Sequence, residues 1–440
     1  MTSSGNGPIL RLANATLPRV VLETAEGLPD RRDGLVGANI DIAGGHIAGI
    51  SAPGHEPEEH SLDLDAGMVW PCFVDIHTHI DKGHIAPRQP NPDGSFAGAL
   101  EAVETDRARW TAEDVATRME FSLRCAHVHG TSLLRTHIDS HPPQHRLSWP
   151  VVSAMRDRWQ GHVDLQAVSL FPVDLVRDGD YLTEIADLVA NHGGILGCFV
   201  YMLPDLDGLL DAIMEAAIAR ELDLDLHVDE TLDPNAQALA RIAEAALRNR
   251  FPGRINCGHC CSLATQPEPG TGQTMERVAE AGISVVSLPL CNLYLMDRQP
   301  GRTPRARGIT LLHELRAAGV QVAVASDNTR DPFYAYGDLD MLEVFREAVR
   351  IGHLDHPVDD WAAAVTRAPA AIAGQPDHGT LRVGGPADLV LFRARNWSEL
   401  LARPQSDRTV LRNGAPLETE LPDHRDLDML MTAKSGESDV

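Results

Sequence analysis

The residues best placed to act together are His77 and His79, in the run Phe73-Val74-Asp75-Ile76-His77-Thr78-His79. They close an apolar stretch from Met68 to Ile76. In a strand, residues i and i+2 project to one face. Two imidazoles on one face can hold one ion at the ~2.0–2.1 Å that zinc–nitrogen bonds need. Alone, such a pair is as readily structural, so what recurs downstream decides. Leu222 to Val228 is a second apolar run, and its end reads His227-Val228-Asp229-Glu230. That adds a third imidazole and, three residues on, a carboxylate of the kind that carries protons beside activated water. Ile255-Asn256-Cys257-Gly258-His259 ends in another histidine, and Val322-Ala323-Val324-Ala325-Ser326-Asp327 ends in aspartate. Imidazoles with a hard oxygen ligand suit one divalent ion, Zn2+ or Fe2+, with Mn2+ a further candidate. The chemistry expected is metal-dependent hydrolysis.

Strands must deliver these residues to one place. Val163 to Leu170, Gly194 to Val200, Leu222 to Val228 and Val320 to Ala325 are short apolar runs ending in polar or small residues. Between them, Asp211 to Arg220 and Asn235 to Arg248 carry apolar residues at helical spacing. Strand–helix alternation over about three hundred residues predicts an α/β fold, and its length suits a (β/α)8 TIM barrel. There, ligands at successive strand ends share one mouth.

Both chain ends read as β. Ile40-Asp41-Ile42 and His46-Ile47-Ala48-Gly49-Ile50 flank Gly44-Gly45 as a hairpin. Ala387 to Phe392 and Val410 to Gly414 supply strands near the other end. The expected division is residues 1–70 and 381–422 as two parts of a small β-sandwich-like domain, 71–380 as the barrel, and 423–440 as a loosely ordered polar tail.

Sixty-three Asp and Glu against 38 Lys and Arg leave a net charge of −25. Nucleic acid is therefore not an expected partner. No basic leader and no apolar run near ~20 residues is present, so the expectation is a cytoplasmic protein without membrane contact. Seven cysteines do not make a secreted disulfide framework. Cys257, Cys260 and Cys261 beside His259 raise a structural-zinc reading, but a closed site normally needs a second Cys-x-x-Cys pair. Buried thiols are the better expectation, and His84 and His137 are expected to orient or support rather than ligate.

Several blocks resemble the amidohydrolase superfamily, and within it the cytosine deaminase branch, from about Leu10 to Leu417. They are His77-Thr78-His79-Ile80-Asp81-Lys82, Leu134-Arg135-Thr136-His137-Ile138-Asp139, His227-Val228-Asp229-Glu230, Leu288 to Leu295, Arg307-Gly308-Ile309-Thr310 and Ser326 to Tyr334. The resemblance implies a single ion on His77, His79, His227 and Asp327. It implies that His259 holds the attacking water and polarises the bond. Glu230 then moves protons to the ring nitrogen and the leaving amine, and Asp327 helps deprotonate the water. Two-metal members commonly bridge their ions with a carboxylated lysine. Lys82 and Lys434 are the only lysines, and Gly194 to Val200 holds neither Lys nor Glu, which favours one ion.

The expected reaction is hydrolytic deamination of a cytosine-like aminated heterocycle or cyclic amidine, by a homo-oligomeric enzyme. Alternatives are a cyclic-amide or N-alkylamino-heterocycle hydrolase of the same superfamily, or a non-enzymatic barrel homologue, which would have lost ligands. The branch reads cytosine with a glutamine in a Phe-Pro-Gln segment. Here the segment is Phe171-Pro172-Val173, and Asn328 stands where a second aspartate is usual. Losing a polar contact of that kind changes selection strongly, so a ring other than cytosine is expected. Lys82, Val173, Phe199, Tyr201, Asn292 and Asn328 are the candidate substrate contacts.

Overall fold

The computed structural model describes residues 10–54 and 60–431. Strands Leu10–Pro18, Leu35–Ala43, His46–Ser51 and Ser61–Asp63 form a four-stranded sheet. The expected hairpin is present: Ala43 pairs with His46 across Gly44 and Gly45, whose φ values are 57° and 82°. A two-residue turn with both central φ positive needs residues without a Cβ penalty. A second four-stranded sheet joins the two halves of the chain, with Val69–Pro71 antiparallel to Leu389–Leu391, followed by Thr409–Arg412 and Ala415–Pro416.

The strands between them are parallel. Phe73–Thr78, Thr131–Asp139 and Asp164–Leu170 form one sheet. Phe199–Val200, Leu224–Val228, Ile255–His259, Ser284–Ser287 and Val322–Val324 form another. Isolated bridges connect the two at both edges: Pro172 with Phe199 and Val168 with Ile195 on one side, Thr78 with Asp327 on the other. The run Gly194 to Val200 pairs regularly only at Phe199 and Val200. A Cβ at Gly197 would lie 2.2 Å from the Asp225 carbonyl, so this strand is a close approach of bare backbone.

Helices cover the strands outside. Ala112–His129 starts at Thr111, whose side chain accepts from the Asp114 N–H, and stops at Gly130 with φ 94°. Leu206–Ile218 and Ala238–Asn249 lie close to the two helices read from apolar spacing. A further helix, Phe96–Arg107, is inserted after the first strand of the ring and capped by Ser95. No helix among the described residues is long and apolar enough to cross a membrane.

The expectation of a loosely ordered tail from Asp423 does not hold over 423–431. His424–Leu427 is a 3-10 turn that continues into the helix Asp428–Met431. Leu427 packs against Phe121 and Cys125, and the Leu430 carbonyl accepts from Arg88. Burial of one leucine is enough to pin a short segment. Residues 432–440 lie outside the described part.

Trp70 links the small sheet to the ring. It is fully buried against Phe73, Phe345, Phe392 and Trp397, at centroid distances of 6.0, 5.6, 6.4 and 5.7 Å. Trp70→Ala is expected to cost about 3–5 kcal/mol through the cavity it leaves. A lowered thermal inactivation midpoint checks this, and an unchanged midpoint counts against the linkage.

Candidate active site

The polar strand ends meet inside the ring. His77 lies within Phe73–Thr78 and His79 just past it, while His227 lies in Leu224–Val228. The Nε2 atoms of His77 and His79 are each 3.1 Å from His227 Nε2. Asp327 Oδ1 is 3.2 Å from His79 Nε2 and 3.7 Å from His77 Nε2. All four side chains are buried.

Burial comes first, then neighbouring imidazoles, in holding His77 and His227 far below the ordinary histidine range; for His79, burial is followed by Lys82. Three neutral imidazoles thus turn nitrogens toward one another, and the Nδ1 atom of each lacks a hydrogen-bond partner. Neither oxygen of Asp327 has one either. Such a cluster of unpaired buried groups costs free energy unless something shared satisfies it. Separations of 3.1–3.7 Å suit donors gathered on one small cation, so the residues fit a divalent ion.

Backbone geometry was given over to this arrangement. His259 and Asp327 have φ values of 68° and 66°, in the left-handed region disfavoured for residues with side chains. The Asp327 N–H donates to the His77 carbonyl at 2.8 Å, tying the last strand of the ring to the first. Gly258 faces the His77 ring, and a Cβ there would lie 2.7 Å from it.

Glu230 and His259 share a partner. Asn292 Nδ2 donates to His259 Nδ1 at 3.0 Å and to Glu230 Oε1 at 3.3 Å. With Nδ1 accepting, the ring proton sits on Nε2, which has no partner of its own. Burial, then Asp327, push the Glu230 carboxyl well above its ordinary range, while Lys82 opposes them. Burial also raises Asp327, to about 8.

Above these groups lies a cavity of about 310 Å3. His79, His227, Glu230, His259 and Asp327 form its floor, and Phe96, Phe199 and Phe333 line its walls. Phe96 lies 5.8 Å from Phe199 and 5.5 Å from Phe333, centroid to centroid. Lys82 Nζ contacts Asp139 at 3.3 Å and lies over the Phe333 ring at 5.0 Å. Burial works to lower the Lys82 ammonium, but Asp139, Asp81, Asp331 and Asp327 outweigh it.

Of the candidate substrate contacts, Lys82, Phe199 and Asn328 line the cavity. Val173 and Tyr201 are not among its lining residues. Val173 is fully buried in the 3-10 turn Val173–Arg177. Tyr201 turns its hydroxyl to Asp174 at 2.7 Å. Asn292 acts on Glu230 and His259 instead of reaching the cavity. His84 bonds Ser122, and His137 packs 4.1 Å from the His77 ring. Cys257, Cys260 and Cys261 are buried free thiols. Phe96, Glu104 and Arg107 on the inserted helix, with Asp139, are lining residues that strand-end reasoning passed over.

Residues 157–437 match the model of the amidohydrolase family, and the chain belongs to that family. It is 57% identical over 424 residues to a pterin deaminase of Rhizobium rhizogenes (strain K84), covering 96% of this chain and 97% of the relative. A 5-methylcytosine deaminase from Klebsiella pneumoniae, liganded with 5-fluorocytosine, superposes with a TM-score of 0.80 at 22% identity, covering 94% of this chain and 98% of that one. An adenosine deaminase from Xanthomonas campestris with bound zinc gives 0.67 at 17% identity, over 96% and 98% of the two chains. At those identities the likeness to the two structures is one of fold. The chain is a hydrolase of carbon–nitrogen bonds other than peptide bonds.

Asp327→Asn removes the one carboxylate that, among the described residues, lies within 4 Å of the His77 and His79 rings' Nε2 atoms. Purified wild type is expected to carry about one divalent ion per chain, and the variant a small fraction of that. Elemental analysis checks this, and equal metal content would exclude Asp327 from the ion's site.

Proposed function

We propose that the chain is a pterin deaminase, replacing the amino group at C2 of a pterin by oxygen and releasing ammonia. The observation that carries this reading is the gathering of His77, His79, His227, Asp327, Glu230 and His259 on the floor of one cavity. The relative at 57% identity supplies the substrate class. A pterin, like cytosine, presents an aminated sp2 carbon beside a ring nitrogen of a pyrimidine ring, but its carbon lies between two ring nitrogens and the ring is fused to a second one. A cavity of about 310 Å3 with aromatic walls suits a flat bicyclic ring. The lack of an amide at Val173 is consistent with a ring other than cytosine.

The fold is read as a (β/α)8 barrel over 71–380 with an end domain built from 1–70 and 381–422. His77, His79, His227 and Asp327 would hold one divalent ion, Zn2+, Fe2+ or Mn2+. When bound, such an ion acidifies water, from a pKa near ~16 to about 7, so that a nucleophile is available at neutral pH. The remaining work belongs to the chain. Asp327 accepts a proton from the attacking water. His259 steadies the oxygen through Nε2–H, with its tautomer fixed by Asn292. Glu230 gives its proton to the ring nitrogen as C2 is attacked, takes up the proton that the new hydroxyl at C2 loses as the carbonyl forms, and passes it to the departing amine; the proton held by Asp327 then restores Glu230. Phe199 and Phe333 hold the ring flat, and Lys82 with Asn328 offers polar contacts at its edge. A cytoplasmic homo-oligomer acting on a free heterocycle, with no nucleic acid or membrane partner, completes the reading.

Glu230→Gln is expected to keep its ion and lose about 10²–10⁴-fold in turnover. Ammonia release from pterin, with cytosine and N-alkylated aminotriazines alongside, reads substrate class and proton role together. Near-normal turnover in the variant would remove Glu230 from the mechanism. Release of alkylamine in place of ammonia would favour the N-alkylamino hydrolase reading.

A further inference from the structure

We propose that Glu230, Cys291 and Asp327 form a second, inhibitory cation site selective for zinc-like ions. One ligand atom from each lies within 4.8 Å of the other two, and all three residues are buried at their side chains. Among the described residues no other cysteine joins such a group. Asp327 Oδ1 is the oxygen turned to His79 and His77. Its Oδ2 has no hydrogen-bond partner despite complete burial, which leaves an acceptor open.

The short helix Pro289–Leu295 accounts for the placement. It follows the strand Ser284–Ser287 and carries two neighbouring side chains with different targets. Asn292 reaches His259 and Glu230. Cys291 donates instead to Asn328 Oδ1 at 3.4 Å and to the Phe333 carbonyl at 3.8 Å. Asn328 Oδ1 thus already faces the sulfur, and its carbonyl is a fourth candidate donor. Glu230, Asp327 and Asn328 line the open cavity, so an ion can enter the way substrate does.

The donor set decides which ions bind. Two carboxylates and an amide oxygen would accept any hard divalent ion. A thiolate adds a preference for Zn2+ and Cd2+ over Mg2+. The Cys291 thiol and the Glu230 carboxyl give up their protons to solvent as the sulfur–metal and oxygen–metal bonds form, with no change of oxidation state. An ion there occupies the carboxylate of Glu230, so the proton required by the ring nitrogen has no carrier. The inhibitory part therefore rests on the role proposed for Glu230, whereas binding does not.

Enzyme loaded with stoichiometric zinc is titrated with further Zn2+ for activity and with Cd2+ for the ultraviolet thiolate-to-cadmium absorption. Wild type is expected to develop the absorption and lose turnover in parallel, while Mg2+ does neither. Cys291→Ser is expected to lack that increment of absorption and to need at least about tenfold more zinc for half-inhibition. Cys291→Ala serves as a second variant, and circular dichroism verifies that both fold. No absorption in wild type, or equal absorption and equal inhibition in both variants, overturns the site. Turnover of Glu230→Gln with stoichiometric zinc alone reads the proton role separately, so the two failures are distinguishable.

Discussion

Three neutral imidazole nitrogens and an unpartnered carboxylate, all buried and separated by 3.1–3.7 Å, are the constraint on which the rest of this structure depends. Contacts among the rings leave the Nδ1 atom of each, and both oxygens of Asp327, without a hydrogen-bond partner. A fold that keeps such a cluster must hold it against its own tendency to rearrange. The positive φ at His259 and Asp327 is one sign of that holding. The Asp327 N–H bond to the His77 carbonyl is another, since it fixes the carboxylate to the strand that carries the first two histidines.

Beneath the cluster, several buried charged groups are paired with one another. Asp75 accepts from the Ser326 N–H and hydroxyl, bracing the strand end from which Asp327 projects. Arg135 donates to Asp225 at 2.6 Å and to Gln166 at 2.9 Å, and Asn256 completes Asp225 at 2.9 Å. Buried charges persist where partners satisfy them, and removing one partner is costly. These groups therefore act as a rigid polar floor under His137 and His77. Gly258 has the opposite task, leaving the space that the His77 ring occupies.

The ligand candidates were legible because each closes an apolar strand, and strands of a parallel ring end at one face. His77, His227, His259 and Asp327 needed no knowledge of side-chain packing to be grouped. The cavity walls were harder to read. Phe96, Glu104 and Arg107 come from a helix inserted between the first strand and its covering helix, and nothing in helical spacing says which way an insertion folds. Val173 and Tyr201 were misplaced for a related reason. The chain after Pro172 turns into a 3-10 segment that buries Val173, and Asp174 draws the Tyr201 hydroxyl away. The ordered segment at 424–431 was invisible because what holds it is tertiary: Leu427 on Phe121 and Cys125, and the Leu430 carbonyl on Arg88.

Two carboxyls, Glu230 and Asp327, stand beside the cluster and compete for charge. Glu230 and Asp327 are both raised by burial, and Asp327 raises Glu230 further. Neighbouring carboxyls in a dry site cannot both ionise freely, so they divide one proton between them. Asp327 is the one directed at the imidazoles, and a positive charge there stabilises its anion first. Glu230 is then the member that keeps the proton, held by Asn292 and open to the cavity. Lys82 stands nearby with Asp139, Asp81 and Asp331 around it, which keeps the ammonium charged, and it opposes the raising of both carboxyls. On the proposed assignment, the acid and the base of the reaction are both buried carboxyls and differ in what they face, Asp327 turned to the imidazoles and Glu230 to Asn292 and the cavity.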